Sequence, residues 1–234
     1  MVAKSFIARQ AAFAVLSALL SGAACAAAGT VAHLTGSLSV QRAEGTPQIL
    51  SRNSDVNPGD VLTTEKDSYA QINFSDGSSI TMRPNTTVRV EAYNFAKDQP
   101  QADNAFLRLV KGGMRTVTGL IGRRGNQDAY KIGTQQATIG IRGSSGDTLE
   151  CSEGCADVTP TSGKLPPGVY HATHTGAYIV QNDAGSQLVG PGQFSYVKDA
   201  KTAPAALAKD PGLGLSQLPF SLGVPGAPGE CIVR

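Results

Sequence analysis

Apolar and polar residues alternate with a period of two over most of the chain from Val31 onward. Ala70, Ile72 and Phe74, for example, are separated by single polar residues. Such alternation is typical of strands in an antiparallel sheet that bury one face and expose the other. The sequence therefore predicts an all-β domain of short antiparallel strands.

Turn signals separate the alternating runs. Asp76-Gly77 stands between two of them and predicts a hairpin, because Gly accepts a positive φ. Asn57-Pro58-Gly59-Asp60 and Pro84-Asn85 predict further turns. The runs recur about every ten residues, a spacing typical of a sandwich or a barrel. The short Ala-rich segment 203–209 is the only candidate for a helix, and no apolar stripe of helical period has a useful length.

The beginning of the chain has the pattern of an export signal. Basic residues come first, an apolar run follows over 11–20, and small residues occupy 21–29. The apolar run is shorter than the roughly 20 residues that cross a bilayer. Small residues satisfy the signal-peptidase rule both before Ala27 and before Gly29, and cleavage after Ala28 is preferred because Gly29 opens the first strand pattern. Acylation of Cys25 and a retained membrane anchor stay open as alternatives.

These patterns predict the domain organisation: a signal peptide at 1–28, a β domain at 29–200 and a Pro/Gly-rich, extended tail at 201–234. The predicted location is the periplasm or the exterior, with no stable membrane span after cleavage. Loss of Lys4 and Arg9 leaves equal numbers of basic and acidic residues. That balance argues against a nucleic acid as partner.

Two cysteines stand close together in the predicted exported part. Cys151 and Cys155 bracket three residues, a tight turn that can bring their Cα atoms within bridging distance. An oxidising compartment permits a disulfide. We therefore predict a Cys151–Cys155 bridge, although Cys231 is a competing partner that the sequence does not exclude.

Ordered blocks of the sequence resemble the FecR domain family over Val31–Leu149. The blocks are Gly36–Arg42, Pro58–Thr64, Ala70–Ser78, Arg83–Thr86, Leu109–Arg115 and Tyr130–Gly143. The resemblance implies a β-sandwich of the jelly-roll type and a non-catalytic role in binding or signal sensing. The best-known members couple an outer-membrane receptor to a cytoplasmic sigma factor, but this sequence shows neither a cytoplasmic segment nor a membrane helix after one. We therefore expect that it does not carry a signal across the inner membrane alone.

Residues with catalytic potential do not form a recognisable motif. His171 and His174 are three apart, so on a strand they point to opposite faces, and exposed positions without a metal are expected. Glu150 and Glu153 could form a carboxylate pair for glycoside cleavage, but a solvated loop is the expected setting. We predict that the protein is not an enzyme and holds no cofactor. A carbohydrate-active envelope enzyme on a jelly-roll scaffold is the alternative function.

The densest basic region comprises Arg115, Arg123, Arg124 and Lys131. Several glycines surround the two adjacent arginines, which predicts a mobile loop. Such a loop is either a solubilising hairpin tip or the contact with an acidic partner, an envelope protein or a cell-wall component. We take these four residues as the candidate partner-binding site. Arg142, in the Arg142-Gly143 pair, is expected instead to pair with a nearby carboxylate or with carbonyl groups.

Overall fold

The computed structural model describes residues 27–43, 45–126, 128–152 and 165–213. Its regular elements are fifteen strands and one short 3₁₀ helix, Pro100–Ala102. The strands are β1 (Gly29–Thr35), β2 (Leu38–Gln41), β3 (Gln48–Leu50), β4 (Asp55–Val56), β5 (Val61–Thr64), β6 (Tyr69–Phe74), β7 (Ser79–Met82), β8 (Thr87–Asn94), β9 (Asn104–Val117), β10 (Tyr130–Gly133), β11 (Thr138–Glu150), β12 (Val169–Asn182), β13 (Gly185–Val189), β14 (Phe194–Val197) and β15 (Ala205–Leu207). The all-β prediction is confirmed.

The strands form one hydrogen-bonded sheet that folds around its own core. Its main path runs β15-β14-β12-β11-β10-β9-β7-β6-β1-β4, and β8, β5, β2 and β3 branch from β9 in that order. Nearly all pairings are antiparallel, as the alternation predicts. The hairpin predicted at Asp76-Gly77 joins β6 to β7, with Gly77 at φ +82°.

β9 organises the sheet because its two halves pair with different strands. Residues up to Lys111 pair with β8, and the residues after the Gly112-Gly113 pair lie between β7 and β11. Gly112 has φ +86°, and a Cβ there would lie 2.6 Å from the Cα of Thr86. Only glycine fits this close approach, so the strand bends at Gly112 and changes partners there.

One pairing is parallel, which the sequence pattern does not predict. β10 runs parallel to the first half of β9, with Ile132 opposite Leu107. Parallel neighbours need a long crossover connection, of a dozen residues or more. Residues 118–129 provide it, and this segment is called the arginine loop below.

The core is continuous through most of the sheet. Its largest fully buried side chains include Tyr130, Tyr178, Met82 and Met114. A second, smaller cluster contains Leu149, Tyr170 and Leu213. Leu213 lies beyond the predicted domain boundary at residue 200, and Arg83 Nη1 donates to its carbonyl at 2.6 Å.

The segment named as a helix candidate contains a strand instead. Ala205–Leu207 forms β15 and pairs with Phe194–Tyr196 of β14. The alanines favour a helix locally, but pairing with an open sheet edge satisfies the backbone at this point, so tertiary context overrides propensity. Ordered structure therefore continues past the predicted boundary at 200, at least to Leu213.

The start of the described chain is part of the core. Ala28 is 1% exposed, and its carbonyl accepts a hydrogen bond from Ser75 N at 2.9 Å. The predicted signal peptide falls almost entirely on residues 1–26, outside the described part. Within the described residues, no helix has the length and apolar character needed to cross a membrane.

Candidate functional site

The arginine loop is anchored to the body of the protein at several points. Thr118 donates through both its N–H and its hydroxyl to the carbonyl of Ser144, at 3.0 and 2.9 Å. Leu120 N donates to Asp76 O, and Ile121 N donates to the Asp76 carboxylate at 3.1 Å. Ile121 is fully buried. The prediction of a mobile loop is therefore wrong for the first half of this segment, which is fixed by hydrogen bonds and by core packing.

Glycine allows the loop to lie against the β6–β7 turn. A Cβ at Gly119 would stand 2.3 Å from Ser78 N and 2.4 Å from Asp76 O, closer than any side chain tolerates. The glycines that suggest flexibility in the sequence thus serve close backbone approach in the fold. The result is a rigid support for the arginines that follow.

Arg124 is a structural anchor. Its guanidinium contacts the Asp103 carboxylate at 3.0 and 3.3 Å and donates to the carbonyls of Ala96 and Lys97. The guanidinium carbon also lies 4.7 Å from the centroid of the Phe95 ring, within cation–π range. The Asp103 side chain is fully buried. These contacts use the donors of Arg124 within the fold, so its candidacy as a partner-binding residue weakens.

Arg115 is held in a similar way. Its guanidinium forms a bidentate pair with Asp147 at 2.7 and 2.8 Å, and His174 Nε2 lies 2.8 Å from the same carboxylate. The hydrogen bonds that Arg115 donates to Asp147 raise the pKa of Arg115 above its ordinary value. Asp147 is nearly inaccessible to solvent, so this pair neutralises charge inside the protein.

Three exposed arginines differ from the others. Among the described arginines, Arg42, Arg52, Arg83, Arg108, Arg115 and Arg124 each donate to a protein acceptor. Within the same described part, Arg89, Arg123 and Arg142 are exposed and make no such bond. Arg123 and Arg142 line one open depression of about 470 Å³, together with Arg124 and the glycines at 122, 125 and 143. The site residues Arg123 and Arg142 therefore converge, although they lie on different elements.

Sequence reasoning missed Arg142. The expectation that it pairs with a carboxylate or with carbonyls is wrong within the described residues: it projects from β11 unbonded. Lys131, the fourth predicted residue, lies opposite Gly140 on β10. Because residues 140 and 142 of a strand share a face, Lys131 and Arg142 lie on the same outer side of the sheet. The basic surface is defined here as Arg123, Lys131 and Arg142.

His171 and Glu150 occupy different environments from those expected, whereas His174 is exposed as expected. His171 is buried, not exposed, and lies between the hydroxyls of Thr148 and Thr173 at 3.1 and 3.2 Å. Burial lowers its pKa to about 3, so it stays neutral at physiological pH. Glu150 is also buried, and desolvation raises its pKa. It is committed to the N–H groups of Gln135 and Ser152.

The glutamate pair considered in the sequence analysis and the predicted disulfide each involve a residue outside the described part. Glu153 and Cys155 both fall within 153–164, so neither the carboxylate pair nor the Cys151–Cys155 bridge can be located. Cys151 itself is buried. Its pairing with Cys155 stays a prediction. Among the described residues, no group of three or more His, Cys, Asp or Glu side chains is arranged to hold a metal ion.

The solved structures similar to this chain include two crystal structures, at 1.65 and 2.50 Å resolution, of a candidate anti-sigma factor from Parabacteroides distasonis ATCC 8503. Each has a TM-score of 0.46 and 13% sequence identity to this chain. The match covers 64% of this chain and 60% of the solved chain, so it spans less than two thirds of that protein's length. No curated protein matches the sequence.

The family profile described as FecR protein matches residues 60–165. That segment runs from the turn before β5 to Leu165, beyond the end of β11, and it contains the arginine loop together with Arg123, Lys131 and Arg142. It also contains most of the blocks that resemble this family in the sequence. The chain thus carries a segment, residues 60–165, that matches the FecR family profile.

Proposed function

We propose that this protein is a non-catalytic binding module of the bacterial cell envelope, which engages an acidic partner through the basic surface. The observation that carries the proposal is the contrast among the arginines. Most of them donate hydrogen bonds to carboxylates and carbonyls of the fold. Arg123 and Arg142, in contrast, are exposed, make no such bond within the described residues and line one depression. The match of residues 60–165 to the FecR profile supports a regulatory rather than an enzymatic role.

The polar groups that a catalyst could use have structural tasks here. Asp147 neutralises Arg115, and His171 is buried and neutral between two threonine hydroxyls. Asp76 accepts hydrogen bonds from Ser78, Tyr93 and Ile121. Groups committed in this way are poorly suited to proton transfer. These contacts favour the binding role over the carbohydrate-active alternative.

Binding through exposed cations has a measurable signature. Replacing Arg123 and Arg142 together by Ala is expected to lower retention of the purified mature protein on immobilised envelope extract about fivefold, since exposed ion pairs contribute up to about 1 kcal/mol each. Retention should also fall as salt rises, because exposed charges are screened over about 8 Å at physiological ionic strength. The measurement is the fraction retained at increasing NaCl concentration.

The Arg89→Ala variant is the matched control. Arg89 is another exposed arginine without a protein partner among the described residues, and it does not line the depression. Its replacement should leave retention unchanged. Equal losses in the control and the double variant would show non-specific attraction and contradict the proposal. Turnover of a cell-wall glycan by the purified protein would contradict the non-catalytic role.

The proposal includes export of the protein, and the fold changes the expected cleavage site of the signal peptide. Ala28 is buried and its carbonyl bonds to Ser75 N, so cleavage after Ala28 would remove a core residue. Cleavage after Ala26, the other site that obeys the small-residue rule, keeps it. N-terminal sequencing of periplasmic protein is therefore expected to give a start at Ala27. A start at Gly29, an intact Met1 or an acylated Cys25 would each contradict this prediction.

A further inference from the structure

The depression at the basic surface is lined by arginines and glycines. Its lining consists of Arg123, Arg124, Arg142 and three glycines, with no carboxylate among them. The charge of Arg124 is balanced by Asp103, whereas the charges of Arg123 and Arg142 are balanced by no described side chain. The depression is therefore a local concentration of positive charge on a protein whose predicted mature part has no net charge.

Arg123 is positioned beside Arg142 by packing on glycine. A Cβ at Gly143 would lie 3.5 Å from Cγ of Arg123 and 3.7 Å from the carbonyl of Gly122. The stem of Arg123 therefore lies over the backbone of the residue that follows Arg142. Gly143 has φ +59° and stands at a register irregularity of β11, so the local backbone both admits this packing and turns the strand.

The bonds at Arg124 and Asp76 fix the loop from both sides. Arg123 N and Arg124 N each donate to Leu120 O at 3.1 Å, while Leu120 N itself donates to Asp76 O. On the other side, the Arg124 side chain is clamped to Asp103. Arg123 stands between these two anchors. Its backbone is thereby held in place, which lowers the entropy that a ligand must offset when it orders the site.

We infer that the depression is an oxyanion-binding site in which Arg123 and Arg142 grip one phosphate or carboxylate group of the partner. Guanidinium groups present donors in a planar fork that matches either group bidentately. A volume of about 470 Å³ exceeds that of a lone oxyanion and falls in the range of small-ligand sites, so the site admits the chemical group to which the anion is attached. This inference rests on the proposed binding function and specifies the chemistry that it recognises.

The test titrates the ¹⁵N-labelled mature protein with orthophosphate and, separately, with sodium acetate, while NaCl keeps the ionic strength constant. Amide resonances of residues 122–125 and 142–143 are expected to shift along a saturating curve. Tighter binding of phosphate would identify a phosphoryl group as the natural anion, and tighter binding of acetate would identify a carboxylate. Shifts that chloride reproduces equally, or that grow linearly without saturation, would overturn the inference.

Two variants assign the binding to the arginines. Arg142→Gln is expected to weaken the better-bound anion about tenfold, because hydrogen bonds to charged groups are among the strong ones. Arg89→Gln is expected to leave binding unchanged. A thermal melt of each variant checks that the fold is intact. Equal affinity in Arg142→Gln and the unaltered protein would remove Arg142 from the site and overturn the inference.

The anion titration tests the oxyanion site and the retention assay tests the proposed function, so each proposal can be contradicted without the other. Saturable anion binding without retention on envelope extract would keep the site and contradict the proposed function. Retention that depends on Arg123 and Arg142, without saturable anion binding, would keep the proposed function and contradict the oxyanion site.

Discussion

Replacing Arg124 by Ala is expected to lower the free energy of unfolding by about 3 kcal/mol, whereas replacing its neighbour Arg123 by Ala should change it by less than about 0.5 kcal/mol. The cause is Asp103, whose side chain is fully buried and faces the Arg124 guanidinium at 3.0 Å. Without Arg124, this carboxylate keeps only the N–H of Ala96 as a donor among the described residues. A buried charge left without its partner is strongly destabilising.

Urea unfolding of the two single variants measures the difference. The midpoint should fall for Arg124→Ala with little change of slope, which indicates lost stability rather than a changed unfolded state. Arg124→Lys retains the charge but not the planar fork, so its loss should be intermediate. Indistinguishable midpoints for Arg123→Ala and Arg124→Ala would show that the Asp103 pair contributes nothing.

Replacing Asp76 by Ala is expected to cost about 3 kcal/mol and to release the start of the arginine loop. The carboxylate accepts from Ser78 N, from the Tyr93 hydroxyl and from Ile121 N at 3.0–3.1 Å, and it also accepts from the Ser78 hydroxyl. Each buried donor left unsatisfied costs about 1–3 kcal/mol. Relaxation recovers part of the sum, so the expected loss is near the lower end.

Asp128→Ala is the matched control for Asp76→Ala. Asp128 lies in the same loop and is exposed, so its replacement should cost less than about 0.5 kcal/mol. Urea unfolding gives the stability of both variants, and amide resonances of 120–125 report whether the loop has moved. An Asp76→Ala variant as stable as the Asp128→Ala control would contradict the role assigned to the carboxylate.

The strand pattern was predictable because it depends on local chemistry. Alternation at Ala70, Ile72 and Phe74 places these side chains on the core face of β6, where all three are buried. Asp76-Gly77 formed the expected hairpin because a positive φ is open to glycine wherever it stands. Period-two alternation survives folding when one face of a sheet packs on a core.

The expectations that were wrong concern features of the fold that depend on residues far away in the sequence. Ala205–Leu207 is a strand because the edge of β14 is available to it, and nothing within the segment itself indicates that edge. His171 is buried because Thr148 and Thr173 satisfy both ring nitrogens. The arginine loop is anchored because Asp76, 45 residues before Ile121, reaches its backbone.

The candidate site likewise has some features that the sequence determined and others that only the tertiary structure decided. By itself, the sequence determined the all-β class, the turns, the FecR resemblance of the segment 60–165 and the basic character of the region from Arg115 to Lys131. Tertiary structure alone decided which cations are available. Arg115 and Arg124 meet Asp147 and Asp103, 32 and 21 residues away, whereas Arg123 and Arg142 meet no described carboxylate and face one depression. The reason is physical: a strand's faces follow from local alternation, but the charge that neutralises an arginine comes from whichever element the fold packs against it.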